Sequence, residues 1–339
     1  QNGRDLPWRQ TREPYPVWVS EIILQQTRVE QGLPYFKKFL DHFPDPESLA
    51  SAGEEEVLKV WQGLGYYRRA LNMHMAAREI MQKHQGRFPS NYQDIRQLKG
   101  IGDYTAAAIG SIAFGLPYPV VDGNVIRMIA RITGMTEPVT NTEAVRRIRG
   151  VAESWIGNME PGEFNQAMMD FGALVCKPVS PGCTLCPLVE ECMARMLGKE
   201  NLIPVRKTRP PVRVRYLNYY VLTGEYNGQK HIYLRKRPGN DIWKNLYDFP
   251  CIESGSDNGY TEPDPFFIGH CVTIPERSLT GIYGPVKHLL THQRLSVLFL
   301  HFDLNNLPEL PYIRVPLGEL YQYPVPRLIE RYLSGRPVR

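Results

Sequence analysis

Two carboxylates and four thiols are the side chains of this sequence best placed, by type and spacing, to do chemistry. Glu21 interrupts WVSEIILQQT, a run that otherwise reads as the buried face of a helix, with Val17, Trp18 and Leu24 beside it at helical spacing and Gln25 following. A carboxyl held against such neighbours loses solvation, which favours the protonated form and suits it to give up a proton. The plainer reading leaves Glu21 at the edge of the stripe, reaching water. Asp122 lies in PYPVVDGNVIRMIARI, just before Gly123 and Asn124 at the head of a helix. Aspartate is a common N-cap, and the positive end of a helix also helps to keep a carboxylate ionised. Two carboxyls in unlike environments, one neutral and one charged, can act as a proton donor and a fixed anion.

The thiols are Cys176, Cys183, Cys186 and Cys192, spaced C-x6-C-x2-C-x5-C in CKPVSPGCTLCPLVEEC. Four thiolates on one short segment suit a tetrahedral metal or an iron–sulfur cluster, and on chemistry alone zinc and iron both stay open. Cys251 and Cys271 stand apart and read as ordinary buried thiols. A third feature is IRQLKGIGDYTAAAIGSIAFG, residues 95–115. Gly100 and Gly102 permit a tight turn with unobstructed amides, and a helix starts near Asp103. Bare amides beside a positive helix end can hold a phosphate, although glycine pairs also simply end helices.

The elements that must position these groups fall into two textures. The chain has 339 residues, enough for two domains, with 42% apolar and 22% charged residues. Residues 1–200 read as helices almost throughout, with apolar residues three and four apart in VEQGLPYFKKFLDHF, EEEVLKVWQGL, RALNMHMAAREIMQKH, TAAAIGSIAFG, NVIRMIARI and NTEAVRRIRGVAESWI. Segments such as FPDPES and RFPSN separate them. A linker at 201–213 carries Pro204, Pro210 and Pro211, and residues 214–339 then change to short Tyr-, Val- and Leu-rich runs, RVRYLNYYVLTG, KHIYLRKRPG and RLSVLFLHFDL, read as strands of an α+β part. VPRLIERYLSG closes the chain as a helix. The net charge of +5 is concentrated in NLIPVRKTRPPVRVR, where Arg206, Lys207, Arg209, Arg213 and Arg215 meet no acid. Such a tract attracts a polyanion such as nucleic acid, or is a solvated linker. No run is long and apolar enough to span a membrane, and QNGRDLPWRQ lacks the core of a signal peptide, so a cytoplasmic location is the expectation.

The cysteine spacing after an all-helical part, taken with the L-x-G-I-G hairpin, resembles the helix-hairpin-helix DNA glycosylases that hold a 4Fe–4S cluster. That resemblance favours iron over zinc. VSEIILQQT is similar to the corresponding stretch of MutY-type adenine DNA glycosylases, and DIWKNLYDFP, residues 241–250, resembles the W-x-x-L-x-x-F-P stretch of their C-terminal Nudix-like domain. The fold implied is multidomain: an all-α glycosylase domain with a cluster loop at 176–192, and an α+β Nudix-like domain. Relatives that also cut the strand, such as endonuclease III, carry a lysine at the position of Tyr104 and form an imine with the sugar. A phenol cannot, so monofunctional hydrolysis is expected. No R-E-x-x-E-E run occurs, so nucleotide hydrolysis is not expected of the second part.

The resemblance also implies roles. Glu21 protonates the adenine and activates water, Asp122 stabilises or transiently bonds the anomeric carbon, and Tyr104 and Asn124 orient the two acids. Arg4, Trp8 and Arg9 of RDLPWR, with Leu24 opposite and Gln166, line the adenine pocket, although core packing also accounts for Trp8. Gln26 and Thr27, with an exposed pair Leu64 and Tyr66, wedge in beside 8-oxoguanine on the opposite strand. Gly100 and Gly102 hold the DNA backbone. KHLLTHQRL aligns with a Phe-Ser-His loop that reads 8-oxoguanine; here the residues are Leu290, Thr291 and His292, so the aromatic is lost and the hydroxyl and imidazole are kept. The expected substrate is duplex DNA with adenine opposite 8-oxoguanine or guanine, met by a monomer in a bacterial cytoplasm or a eukaryotic nucleus or mitochondrion. The competing readings are an endonuclease III-like remover of oxidised pyrimidines and a lesion-binding protein without chemistry.

Overall fold

The computed structural model describes residues 5–205, 212–239, 241–255 and 278–335, with the backbone alone of 266–267 and 273–274. Arg4, Arg206, Lys207, Arg209, Pro210, Pro211 and Cys271 lie outside the described residues. Contacts divide the chain into two compact units, residues 1–51 with 72–209, and residues 52–71 with 210–339. Residues 52–71, read from the sequence with the helical part, thus pack with the second unit.

Two central helices organise the first unit. α1, Pro14–Leu24, starts on a proline at its first turn and is buried on every side from Val17 to Ile23. A helix with no polar face has no wet side to present, so it must lie inside. α7, Asp103–Phe114, is the same kind of helix: Thr105–Ile112 is buried throughout, and the chain leaves it at Gly115 in the left-handed region. α1 packs on α7 and on α2, Val29–His42, whose apolar face carries Phe36 and Phe39. The alanines of TAAAIG allow the α1–α7 approach. α6, Tyr92–Gln97, precedes α7 and completes the expected hairpin.

α8, Gly123–Thr133, packs on α9, Thr142–Ile156, and on α10, Pro161–Leu174. The α8–α10 contact closes at Gly172, where a Cβ would stand 2.7 Å from Asn124 Cβ and 2.9 Å from its carbonyl carbon. The short helix α11, Met193–Met196, lies on α8 behind the cysteine segment. Among the described residues no helix is long and apolar enough to cross a membrane.

The second unit is built on a seven-stranded sheet. β1, Arg213–Tyr226, runs parallel to β8, Gln293–Asn306, at its centre. β2, Gln229–Lys236, follows β1 through Asn227 and Gly228, both with positive φ, as a two-residue hairpin requires. β3, Tyr247–Asp248, β4, Cys251–Ser254, β7, Leu279–Leu289, and β9, Ile313–Pro316, complete it, while β5, Phe266–Phe267, and β6, Thr273–Ile274, pair apart. Both faces are covered. Leu217, Tyr219 and Val221 of β1 point into one apolar cluster with Phe299, Leu328 and Ile329, and Tyr220 and Leu222 into another with Phe302. α12, Arg327–Leu333, supplies Leu328 and Ile329 to the first. α4, Glu54–Trp61, belongs here: Glu55 accepts from Lys236 Nζ at 2.8 Å and from the Tyr247 hydroxyl at 2.5 Å.

One expectation is corrected. Arg215 is not part of a basic tract open to polyanions; it is 8% exposed and lies with both edges on carboxylates, Asp241 at 2.7 and 2.8 Å and Glu253 at 2.7 and 2.8 Å. The physical reason is strand alternation, which sets Arg215 on the inward face with Leu217 and Tyr219, while Arg213, on the same face but at the open end of the strand, stays exposed 3.6 Å from Glu253. The network continues from Asp241 to Arg237 at 2.6 Å, and from Arg237 to the fully buried Asp248 at 2.6 Å, which Arg235 also contacts at 3.1 Å. Breaking such a network from one side strands the partner charge. Asp248→Leu, which removes the anion that Arg235 and Arg237 share, is expected to destabilise the second unit by about 3–5 kcal/mol in a denaturant titration; a loss under about 1 kcal/mol would mean that the two guanidiniums find other anions.

Candidate active site

Glu21 sits in the last turns of α1 and is 8% exposed, so the edge-of-stripe reading does not hold. Tyr104, in the first turn of α7, donates its hydroxyl to Glu21 Oε2 at 2.8 Å and lies 3.7 Å from Met169 Sδ. Burial pushes the Glu21 carboxyl from an ordinary 4.5 up to about 7; the Tyr104 bond opposes this, the Asp122 charge adds to it, and Arg9 opposes it. The Tyr104 phenol is itself raised, by burial and then by the neighbouring Glu21.

Asp122 caps α8. Its Oδ1 accepts from the backbone N–H of Val125 at 2.7 Å and of Asn124 at 2.9 Å, and its Oδ2 from Asn124 Nδ2 at 2.7 Å. Burial raises this carboxyl too, but those three donors and the Arg127 charge oppose the rise. Capping and a place in the site are therefore both true of Asp122. The Glu21 carboxyl accepts one hydrogen bond and that of Asp122 accepts three, so burial raises both carboxyls but is opposed by more donors at Asp122.

Both carboxyls face one cavity of about 420 Å³, lined also by Trp8, Arg9, Leu24, Thr27, Tyr104, Asn124 and Gln166. Every described residue expected around an adenine is in this lining. Trp8 does both things asked of it: it is 7% exposed, edge-on to Phe36 at 5.1 Å, and still forms a wall. Arg9 Nη1 meets Asp170 Oδ2 at 2.5 Å.

Asn124 links the cap to the cysteine segment. Its Oδ1 accepts from Arg127 Nη2 at 2.9 Å; the same Nη2 donates to Gly172 O at 2.6 Å, and Arg127 Nε to Cys176 O at 2.7 Å. One turn on, Arg131 is 2% exposed and donates to Lys177 O at 2.7 Å, Ile203 O at 2.9 Å and Cys176 Sγ at 3.3 Å. The four cysteines are free thiols around one small hollow, with Phe171 and Leu188 among its apolar walls. Among the described residues no three His, Cys, Asp or Glu side chains converge on a single ion.

The hairpin turn has Gly100 at φ +81, where a Cβ would be 2.6 Å from Asn72 Cβ, and Gly102 as the cap of α7 with open space beside it. Asp103, in the first turn of α7, pairs with Arg96 and with Arg149 at 3.4 Å. Gln26 is exposed and Thr27 half-buried, and Gln26 adopts φ 58. In the second unit Tyr66 adopts φ 48, is 47% exposed, and its hydroxyl bonds that of Thr291. Thr291 and exposed His292 form the turn between β7 and β8, with Leu290 packed on the core. The expected exposed Leu–Tyr pair is corrected: Leu64 is 6% exposed, folded inward between the positive-φ glycines Gly63 and Gly65, and only Tyr66 stands out.

Four arginine or aspartate positions escaped the sequence reading. Asp170, Arg127 and Arg131 each sit in an apolar helical stripe, and that pattern was the available signal. Arg69, whose guanidinium lies 5.2 Å from the Trp61 ring and 5.4 Å from the Tyr66 ring, gave none. Burial lowers its pKa to about 10.

Residues 19–153 match the HhH-GPD superfamily base excision DNA repair protein family, and residues 222–335 the NUDIX domain family. The adenine DNA glycosylase of Buchnera aphidicola subsp. Acyrthosiphon pisum (strain APS) is 39% identical over 251 residues, covering 74% of this chain and 71% of that protein. The adenine DNA glycosylase of Homo sapiens is 41% identical over 213 residues, 60% of this chain and 39% of that protein. Among solved structures, a thermostable thymine-DNA glycosylase superposes with TM-score 0.54 at 30% identity, covering 57% of this chain and 89% of that one. A trapped endonuclease III–DNA covalent intermediate shares the fold, with TM-score 0.51 at 23% identity, 58% of this chain and 90% of that one.

The buried Glu21 has a thermodynamic consequence independent of any reaction. Its folded pKa lies above its unfolded value, so the stability it contributes is full below about pH 4.5 and is lost as pH rises to about 7, a change of about 3 kcal/mol. Glu21→Gln keeps an acceptor for Tyr104 and cannot ionise. In thermal unfolding it is expected to match wild type near pH 4.5 and to exceed it increasingly up to pH 7, by at most about 3 kcal/mol. A constant difference across that range would show that Glu21 does not titrate in a dry site.

Proposed function

The chain belongs to the adenine DNA glycosylase family of the HhH-GPD base excision repair superfamily, and on that premise we propose that it hydrolyses adenine from duplex DNA where the adenine stands opposite 8-oxoguanine or guanine. The observation that carries this reading is that Glu21 and Asp122 face one nucleoside-sized cavity in unlike hydrogen-bonding surroundings.

The adenosine must leave the stack before either acid can reach it. Glu21, held protonated by its burial, gives a proton to the five-membered ring of the base. The bond from that ring to the anomeric carbon then breaks, and its electron pair stays with the adenine as a neutral leaving group. Asp122 stands as an anion against the positive sugar, or bonds it briefly. Glu21, now a carboxylate, takes a proton from water as the hydroxide adds to the anomeric carbon, and so returns to its first state. Tyr104 fixes Glu21 by its hydroxyl, and Asn124 fixes Asp122 by its amide. Trp8, Arg9, Leu24, Gln166 and Arg4 contact the base. With Tyr104 where a lysine would be needed for an imine, strand cleavage is not part of the reaction.

The amides around Gly100 and Gly102 suit a backbone phosphate. Gln26 and Thr27 suit contact with the DNA from the first unit; in the second unit, Tyr66, Thr291 and His292 suit reading of the opposite base, and Leu64 is buried near Tyr66. Cys176, Cys183, Cys186 and Cys192 suit a 4Fe–4S cluster, since the four thiols line one hollow and a cubane takes one thiolate on each of its four irons. The cluster would supply a cross-link for a segment with little secondary structure of its own, and Arg131 and Arg127 fasten that segment to α8. The same reading puts the protein's action where genomic DNA is, in a bacterial cytoplasm or a eukaryotic nucleus or mitochondrion, as a monomer.

Adenine release from duplexes pairing A with 8-oxoguanine, G, C or T tests the reaction. Wild type is expected to favour the first two and to give strand breaks only after alkali, while Glu21→Gln binds the duplex and releases nothing, a loss of about a hundredfold or more. Breaks without alkali, or normal release by Glu21→Gln, would overturn it. The isolated protein is expected to be brown, with about four irons per chain; colourless, active protein would assign the cysteines to zinc.

A further inference from the structure

Arg9 and Asp170 lie 161 positions apart in sequence and meet at 2.5 Å, with side chains only 15% and 10% exposed. Arg9 ends the three-residue turn Pro7–Arg9, an element too short to hold itself in place. Leu6 and Trp8 of this segment are buried, Trp8 against Phe36, and Leu6, Trp8 and Arg9 all line the cavity that Glu21 faces. Asp170 comes from the opposite side, on α10, four residues beyond Gln166 and so on the same helical face. In an ion pair this sheltered, losing one partner leaves the other as an uncompensated charge away from water.

We propose that Asp170 is a positioning residue: through Arg9 it straps the Leu6–Arg9 segment across the cavity and keeps water from Glu21. The inference rests on the function proposed above and assigns a role to a side chain outside the set that touches the base. The charged and titratable groups facing Glu21 are Tyr104 from α7, Asp122 from the start of α8 and Arg9 from the strap, with Arg28 and Glu30 further along the same lining. Releasing the strap hydrates Glu21, and burial is the largest cause holding its proton. This outweighs the smaller opposing effect of moving the Arg9 charge away, so the carboxyl that must carry a proton loses it at lower pH.

The test is the pH profile of single-turnover adenine release for wild type, Asp170→Asn and Asp170→Glu, each checked for folding by thermal unfolding. Wild type is expected to lose activity on an alkaline limb near pH 7. In Asp170→Asn that limb moves down by about one pH unit, so release falls about tenfold at pH 8 and stays within about twofold at pH 5.5. Asp170→Glu, which can still reach Arg9, restores the wild-type limb. An equal fall at both pH values with the limb unmoved would make Asp170 a support of α10 only, and no change at either would leave it without a role; both overturn the inference. Should Asp170→Asn not fold, Asp170→Ser, which leaves room for water beside Arg9, is read in the same way. Wild type without any alkaline limb would instead overturn the assignment of Glu21 as the acid, so the two failures are distinguishable.

Discussion

A carboxyl kept out of water is the constraint on which the first unit depends. Glu21 occupies the α1–α7 contact, among side chains that bury α1 from Val17 to Ile23, and the main polar group offered to it is a phenol from the facing helix. Nothing in folding favours this arrangement at neutral pH: the group holds its proton only because ionising it there is unfavourable by about 3 kcal/mol. An alanine-rich α7 lets the helices approach closely, and Tyr104 meets Glu21 at a polar point of that interface, as Gln25 meets Thr105 beside it. The packing of two buried helices therefore sets the protonation state of one side chain, and through it the chemistry open to the cavity.

Asp122 faces the same cavity, and burial raises its carboxyl too, but there more donors oppose the rise. Its three N–H donors come from its own helix start, so the geometry that makes it a cap also favours its charge. That helix start is fixed from behind. Arg127 bonds Asn124, Gly172 and Cys176 together, and Gly172 has no Cβ because Asn124 occupies the space. A buried guanidinium bonded in this way to backbone and amide oxygens resists displacement, because movement strands a donor in a dry place. The cysteine segment, α10 and the Asp122 cap thus share one rigid junction, although the sequence separates them by about fifty residues.

What the sequence made legible follows from which interactions are local. Helical periodicity gave the elements of the first unit, strand-like runs gave β1, β2 and β8, and caps and turns such as Asp122 and the Gly100–Gly102 pair announced themselves within a few residues. Glu21 was legible because a charge in an apolar stripe is a local anomaly. Asp170, Arg127 and Arg131 carry the same anomaly, but their partners lie on other elements, and no spacing rule pairs Arg9 with Asp170. Arg215 misled for the converse reason. It stands in a tract rich in cations, and only the register of β1 shows that its side chain turns inward onto Asp241 and Glu253. Leu64 misled because the resemblance alone pairs it with Tyr66, whereas the positive φ of Gly63, Gly65 and Tyr66 accompanies a Leu64 turned inward and a Tyr66 turned out.

Unfavourable features are unevenly distributed in this chain. Gln26 and Tyr66, both bulky, hold left-handed backbone, Arg69 is desolvated between two aromatic rings, and Glu21 is buried uncharged. Each costs on the order of 1–3 kcal/mol relative to an ordinary alternative. The sheet core of the second unit, by contrast, is apolar on both faces, and its internal charges are paired through Arg215, Asp241, Arg237 and Asp248. Strain of this kind persists only where the surroundings over-determine it. Tyr66 shows how: its ring lies against Arg69 and its hydroxyl meets Thr291 at the tip of the β7–β8 turn, so residues from 66 and 291 are locked together before any ligand arrives. A side chain presented in that way needs no further ordering on contact, and the free energy stored in its backbone is spent in advance on being ready.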